Sequence, residues 1–172
     1  MGYWASIFFI VPFRNLEIFW VLVPIWINLI FTDFYQEKKG TSLGNAVTNA
    51  AVMLWVGVDW IRFLIRNFES FSGAFLFKVI LCSVVIIFGI ILIIEGIQAK
   101  KIISHIARVR ETSYVLLVVS PVIYGVLAPS FRYVIAIIIF APLFYWIFEL
   151  IDRALPTPKT YEESGKPSEP DF

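Results

Sequence analysis

The sequence predicts an all-α fold: a polytopic integral membrane helical bundle of about five transmembrane helices, preceded by an N-terminal interfacial helix. Three observations predict it. Apolar side chains make up 59% of the 172 residues and charged ones only 16%, where soluble domains carry about 25% charge. The mean hydropathy of +0.82 places the chain with membrane proteins rather than with globular ones. The apolar residues also gather into runs of roughly 16 to 21 residues between polar turns, and a bilayer core of about 30 Å takes roughly 20 residues of helix.

The same composition narrows the function. Net charge is +1, from 14 Lys plus Arg against 13 Asp plus Glu, so the chain presents no basic field for nucleic acid. One cysteine, Cys82, and one histidine, His105, exclude CxxC pairs, HExxH zinc sites and bis-histidine haem. There is no Walker loop, no GxGxxG and no paired DxxxD for metal-diphosphate. No cofactor is expected; the expected partners are the lipid bilayer and either other membrane subunits or a second copy of the chain.

Residues 1–155 read as one transmembrane domain, and each element has a local reason. Residues 3–13 are too few to cross and contain Pro12, so they lie at the interface with Trp4 as an anchor. They lack the basic start and cleavage site of a signal peptide. Met1-Gly2 through Ser6 fits the short myristoylation pattern, but the topology below puts that end on the wrong side of the membrane. Span 1 covers residues 15–31, with Pro24 expected to kink it. A polar turn at 32–44 leads to span 2 at 45–65, and a short connection leads to span 3 at 74–94, whose one charge is Lys78. Residues 95–112 put Ile102, Ile103, Ile106 and Val109 on one helical side and read as an amphipathic segment. Span 4, at 113–128, is short and contains Pro121, so it either crosses a thinned bilayer or re-enters. Span 5 covers 132–151 with Pro142 inside it, and the proline-rich, acidic residues 156–172 read as a disordered cytoplasmic tail.

Lysines and arginines set the orientation. Alternating spans put Arg14, Arg62, Arg66 and Arg132 on one side, and Lys38, Lys39, Lys100, Lys101, Arg108, Arg110, Arg153, Lys159 and Lys166 on the other. The richer side should be cytoplasmic, giving a cell-membrane protein with its N-terminus outside and its C-terminus inside.

Three groups of polar residues stand out. Glu17, Asp59, Arg62 and Lys78 fall at one depth in the outer leaflet, where unpaired charges are expensive, so two acids and two bases are expected to pair. Asn45, Thr48 and Asn49, with the small Ala46 and Ala50, read as a helix-contact face that makes span 2 the central helix. Lys100, Lys101, Arg108 and Arg110 are candidates for binding anionic headgroups. At the inner level Glu95, Glu149 and Asp152 gather near helix ends, where salt bridges to Arg153, Lys100 or Lys101 would offset them or a divalent cation would bind.

With almost all of the chain in spans and no catalytic constellation, the sequence favours a non-catalytic accessory or assembly subunit of a membrane complex. The alternative is a small oligomeric ion or solute channel or carrier, using the outer charges and the span 2 amides as its polar path. A third reading is a metal-dependent lipid-modifying enzyme built on the inner carboxylates.

Overall fold

The computed structural model describes residues 16–33, 43–98 and 108–154. Among them every regular element is a helix: α1 (Leu16–Phe31), α2 (Leu43–Arg66), α3 (Gly73–Ile97), α4 (Val109–Ile123) and α5 (Phe131–Ala154). Three segments, Gly44–Arg66, Gly73–Ile97 and Phe131–Ala154, are long and apolar enough to cross a membrane, and α1 is a shorter apolar helix. The expected interfacial helix at 3–13, Lys38, Lys39, Lys100, Lys101 and the tail from 156 lie outside the described residues.

The helices run alternately up and down. Side chains from the start of α1, the end of α2, the start of α3 and the end of α4 meet at one end of the bundle, here the upper end. The end of α1, the start of α4 and the end of α5 meet at the lower end.

The most extensive helix contact is α2 against α3. On α3 the buried residues Cys82, Val85, Gly89, Leu92 and Gly96 alternate steps of three and four, the narrow seam of a coiled coil. Glycine lets the two backbones approach. A Cβ on Gly89 would stand 3.2 Å from the Leu54 nitrogen and 3.3 Å from the Ala50 oxygen, and one on Gly57 would stand 2.6 Å from Ile86 Cγ1. Ser72 opens α3 as its N-cap, accepting the Phe75 N–H at 3.1 Å.

Helix α4 departs most from the sequence expectation. It runs from Val109 to Ile123 rather than over 113–128, so the last residues of the expected amphipathic segment belong to it. Its stop is a left-handed residue, Gly125, at φ +68. The Val126 N–H donates to the Pro121 oxygen at 2.9 Å and the Gly125 N–H to the Val122 oxygen at 3.2 Å, which is a Schellman closure. Pro121 sits inside the helix and leaves the Leu117 carbonyl without its helical N–H; the carbonyls on either side of that one take hydroxyl donors, Ser120 donating to Leu116 at 2.7 Å and Tyr133 of α5 to Val118. Tyr114 returns the bond, donating to Ile137 of α5 at 2.5 Å.

Ten of the fifteen residues of α4 are buried, so it is the more enclosed helix. Helix α2, expected to be central, packs against α1, α3 and α4. Helix α4 is about 22 Å long, shorter than the three candidate spans.

The core is apolar, yet it also encloses polar side chains while large apolar ones lie outside. Asn28, Thr32, Asp33, Asn45, Asn49, Asp59, Thr112, Ser113 and Ser120 are buried, while Trp20, Ile27, Ile80, Val84, Ile87, Ile138, Trp146 and many other large apolar side chains are exposed. In water that surface would far exceed the few hundred Å² of apolar patch a soluble monomer tolerates.

Candidate functional site

At the upper end, Asp59 is held by its own helix and by α4. It lies four residues past Trp55 and three before Arg62, so Arg62 reaches it within the helix, Nη2 to Oδ1 at 2.7 Å. Tyr124, the C-cap of α4, donates its hydroxyl to the other carboxylate oxygen. Its ring packs on Phe63 with centroids 4.3 Å apart. The Asp59 side chain is 5% exposed and that of Arg62 56%, so the guanidinium snorkels out while the carboxylate stays inside.

The expected four-charge cluster does not form as one group. Glu17 pairs with Arg66 at 3.4 Å, a residue outside the expected set. Lys78 has no carboxylate partner among the described residues; its ammonium donates to the Ile123 oxygen at 3.1 Å. That carbonyl belongs to the last turn of α4, where aligned peptide dipoles sum to roughly half a negative charge. A helix end therefore takes the role the sequence reading assigns to an acid, and residue spacing alone carries no signal for it.

Deeper in the bundle, Asn28 of α1 donates to Asn49 of α2 at 2.9 Å and Thr32 donates to Asn28 at 3.2 Å. Asn45 is buried on the same side of α2, whereas Thr48 is exposed and bonds back to the Gly44 carbonyl at 3.0 Å. The helix-contact face thus includes the two asparagines and not the threonine. Its partner Asn28 was visible in the sequence as a lone amide in an apolar span.

At the lower end four charges form a chain across α1, α4 and α5. Arg110 Nε lies 2.6 Å from Asp33 Oδ1, Arg110 Nη1 lies 3.3 Å from Glu149 Oε2, and Arg153 Nε lies 3.0 Å from Glu149 Oε1. The Arg110 side chain is 20% exposed, so it faces the bundle instead of headgroups, as the sequence reading had it. Arg108 remains outward and pairs with Glu111 at 3.9 Å. Asp33 is the residue that sequence reasoning missed: the sequence puts it in the expected polar turn at 32–44, whereas the structure carries the helix on through it as a π turn, and nothing in its spacing marks it as buried. Burial pushes its carboxyl above the ordinary range, helped by Asp152 and Glu149, while Arg110 pulls it down. Its second oxygen, Oδ2, is buried with no hydrogen-bond partner among the described residues.

Among the described residues no three His, Cys, Asp or Glu side chains stand together as metal ligands, and Glu149 is engaged by two arginines. Glu95 does not join Glu149 and Asp152 in such a group. Cys82 is fully buried in the α2–α3 seam. The expectation that no GxSxG pattern is present is wrong, since the chain spells Gly40-Thr41-Ser42-Leu43-Gly44. Gly40, Thr41 and Ser42 lie outside the described residues.

No protein-family model, no curated protein and no solved structure matches this chain.

Proposed function

We propose that the protein is a five-crossing integral membrane protein, N-terminus outside and tail cytoplasmic, that acts as a non-catalytic accessory or assembly subunit of a membrane complex. The observation that carries this reading is the mutual pairing of the interior polar groups. Asp59 is engaged by Arg62 and Tyr124, Lys78 by the α4 terminus, Asn28 by Asn49, and Asp33 by Arg110. A conduit needs such groups to line a wet path. Between the upper Asp59 and the lower Asn49, α2 instead turns Met53 and Val56 inward, both buried.

The outer surface suits lateral assembly. An apolar groove of about 680 Å³ runs between α1 and α2, walled by Trp20, Val23, Pro24, Ala51, Val52 and Trp55. Small residues at its floor and indoles at its rim favour close packing of another helix.

Purification of the full chain from its own membrane in mild detergent tests the reading: a stoichiometric hetero-complex is expected. Liposomes holding the purified protein should pass cations and protons no faster than empty ones. A flux abolished by Asp59→Asn with the fold intact would reject the subunit reading in favour of the channel. Orientation is tested with Lys38→Cys, Ser104→Cys and Gly165→Cys in a Cys82→Ala background; external labelling of these sites in sealed cells would overturn it.

A further inference from the structure

At the upper end a cavity of about 330 Å³ opens between the last turn of α2, the first turns of α3 and the cap of α4. This is within the range of about 300–1,000 Å³ that small-molecule sites occupy. Phe63, Phe75 and Tyr124 form apolar walls, and Ser70, Ser72 and Lys78 supply polar groups. We propose that this cavity binds the headgroup of a zwitterionic, amine-bearing phospholipid, with Lys78 on the phosphate and Glu69 on the headgroup ammonium. The inference goes beyond the subunit reading but rests on the membrane placement made with it.

Charge and hydrogen-bond capacity point to the phosphate. The Lys78 ammonium carries three N–H donors, and the Ile123 carbonyl takes one of them. Among the described residues it has no counter-ion, whereas Asp59 and Glu17 each pair with an arginine. Ser72 accepts the Phe75 N–H, so its own hydroxyl proton is free to donate. A phosphate in this cavity has an ammonium and a hydroxyl among the groups that line it, at the positive end of α3.

Depth points to the amine and to a lipid. Lys78 is half-buried and lies five residues past Gly73, about 7.5 Å into α3. Glu69, which lines the same cavity, is exposed in the connection before the helix. The positive group is therefore toward the hydrocarbon and the negative group toward water. A phospholipid with a primary amine has the complementary order, phosphate nearer its acyl chains and ammonium outermost. For a simple anion Glu69 would be repulsive, whereas this headgroup makes use of it.

The full-length protein, extracted in detergent, would be titrated with phosphatidylethanolamine, phosphatidylglycerol, phosphatidylcholine and soluble phosphoethanolamine, with native mass spectrometry reading the bound lipid. Phosphatidylethanolamine should bind at least about tenfold more tightly than the other three. Lys78→Gln should lower that binding about tenfold and Lys78→Arg should restore it. Because Lys78 also caps α4, the exposed Glu69→Gln gives an independent reading: it should erase the preference over phosphatidylglycerol without altering the fold. Equal binding of all the lipids, or a preference unmoved by Glu69→Gln, would overturn the site. Soluble phosphoethanolamine binding as well as the lipid would assign the cavity to a water-borne ligand and overturn the lipid assignment. A chain that stays soluble without detergent would refute the membrane placement itself, an outcome distinct from failure of the site.

Discussion

Arg110→Met removes the only hydrogen-bond partner that a buried carboxylate, Asp33, has among the described residues, and its cost can be worked from the geometry. At 2.6 Å the Arg110–Asp33 attraction is about 6 kcal/mol for an effective dielectric of about 20. Desolvating the two ions takes back several kcal/mol each, so the intact pair contributes little net stability. Breaking it from the arginine side is different, because Asp33 is 4% exposed and cannot turn to water. We expect Arg110→Met to cost about 3–5 kcal/mol, and Asp33→Asn distinctly less, since Arg110 keeps Glu149 at 3.3 Å. The double variant Asp33→Leu, Arg110→Met should recover most of the loss.

The pH dependence has a definite sign. Burial raises the folded-state pKa of Asp33 above its ordinary 3.8, so the folded state binds the proton better than the unfolded one. The contribution of Asp33 to stability is therefore greatest below the unfolded pKa, declines as pH rises from 3.8 to the folded value, and is level beyond it. Removing Arg110 removes the pull that opposes burial and widens that window. The deficit of Arg110→Met should shrink as pH is lowered toward 4, while the wild type changes less. Unfolding in mixed micelles of dodecylmaltoside and sodium dodecyl sulfate, followed by tryptophan fluorescence, measures each variant. A cost below about 1 kcal/mol, or a double variant no better than Arg110→Met, would refute the assignment of Asp33 as a buried ion.

Three further outcomes are expected in the same assay. A double-mutant cycle of Asn28→Ala and Asn49→Ala should give a coupling of about 0.6–1.7 kcal/mol; no coupling would mean that the amides do not join α1 to α2. Gly89→Val should cost about 1–3 kcal/mol, because its side chain meets the backbone of α2 at Ala50 and Leu54, and an unchanged stability would separate those helices. Tyr124→Phe should cost more than Arg62→Ala: the first takes a donor from a buried carboxylate and the second removes a half-exposed arginine, so the reverse order would place Asp59 in water.

Much of the helical layout was legible in the chain because it follows from local properties. Apolar runs of near-bilayer length can satisfy their backbone groups only within a helix, so α2, α3 and α5 follow from hydropathy. Polar residues inside apolar runs, Asn28 in α1, Asn49 and Asp59 in α2 and Lys78 in α3, mark themselves by the expense of leaving them unpaired. The limits of α4 were less legible, since Pro121 reads as a break while the helix runs through it to the left-handed Gly125.

What the sequence by itself determined is the set of apolar helices and the list of polar residues that had to be paired, because both depend on transfer energies of single residues and on helix length. Only the tertiary structure decided the pairings. Lys78 faces a helix terminus instead of an acid, Glu17 takes Arg66, and Arg110 turns inward to Asp33 where a headgroup contact was expected. The physical reason is that a partner is chosen by distance and direction after helices pack. Carbonyls at a helix end, which every sequence contains, become a charge only once a fold ends a helix beside a lysine.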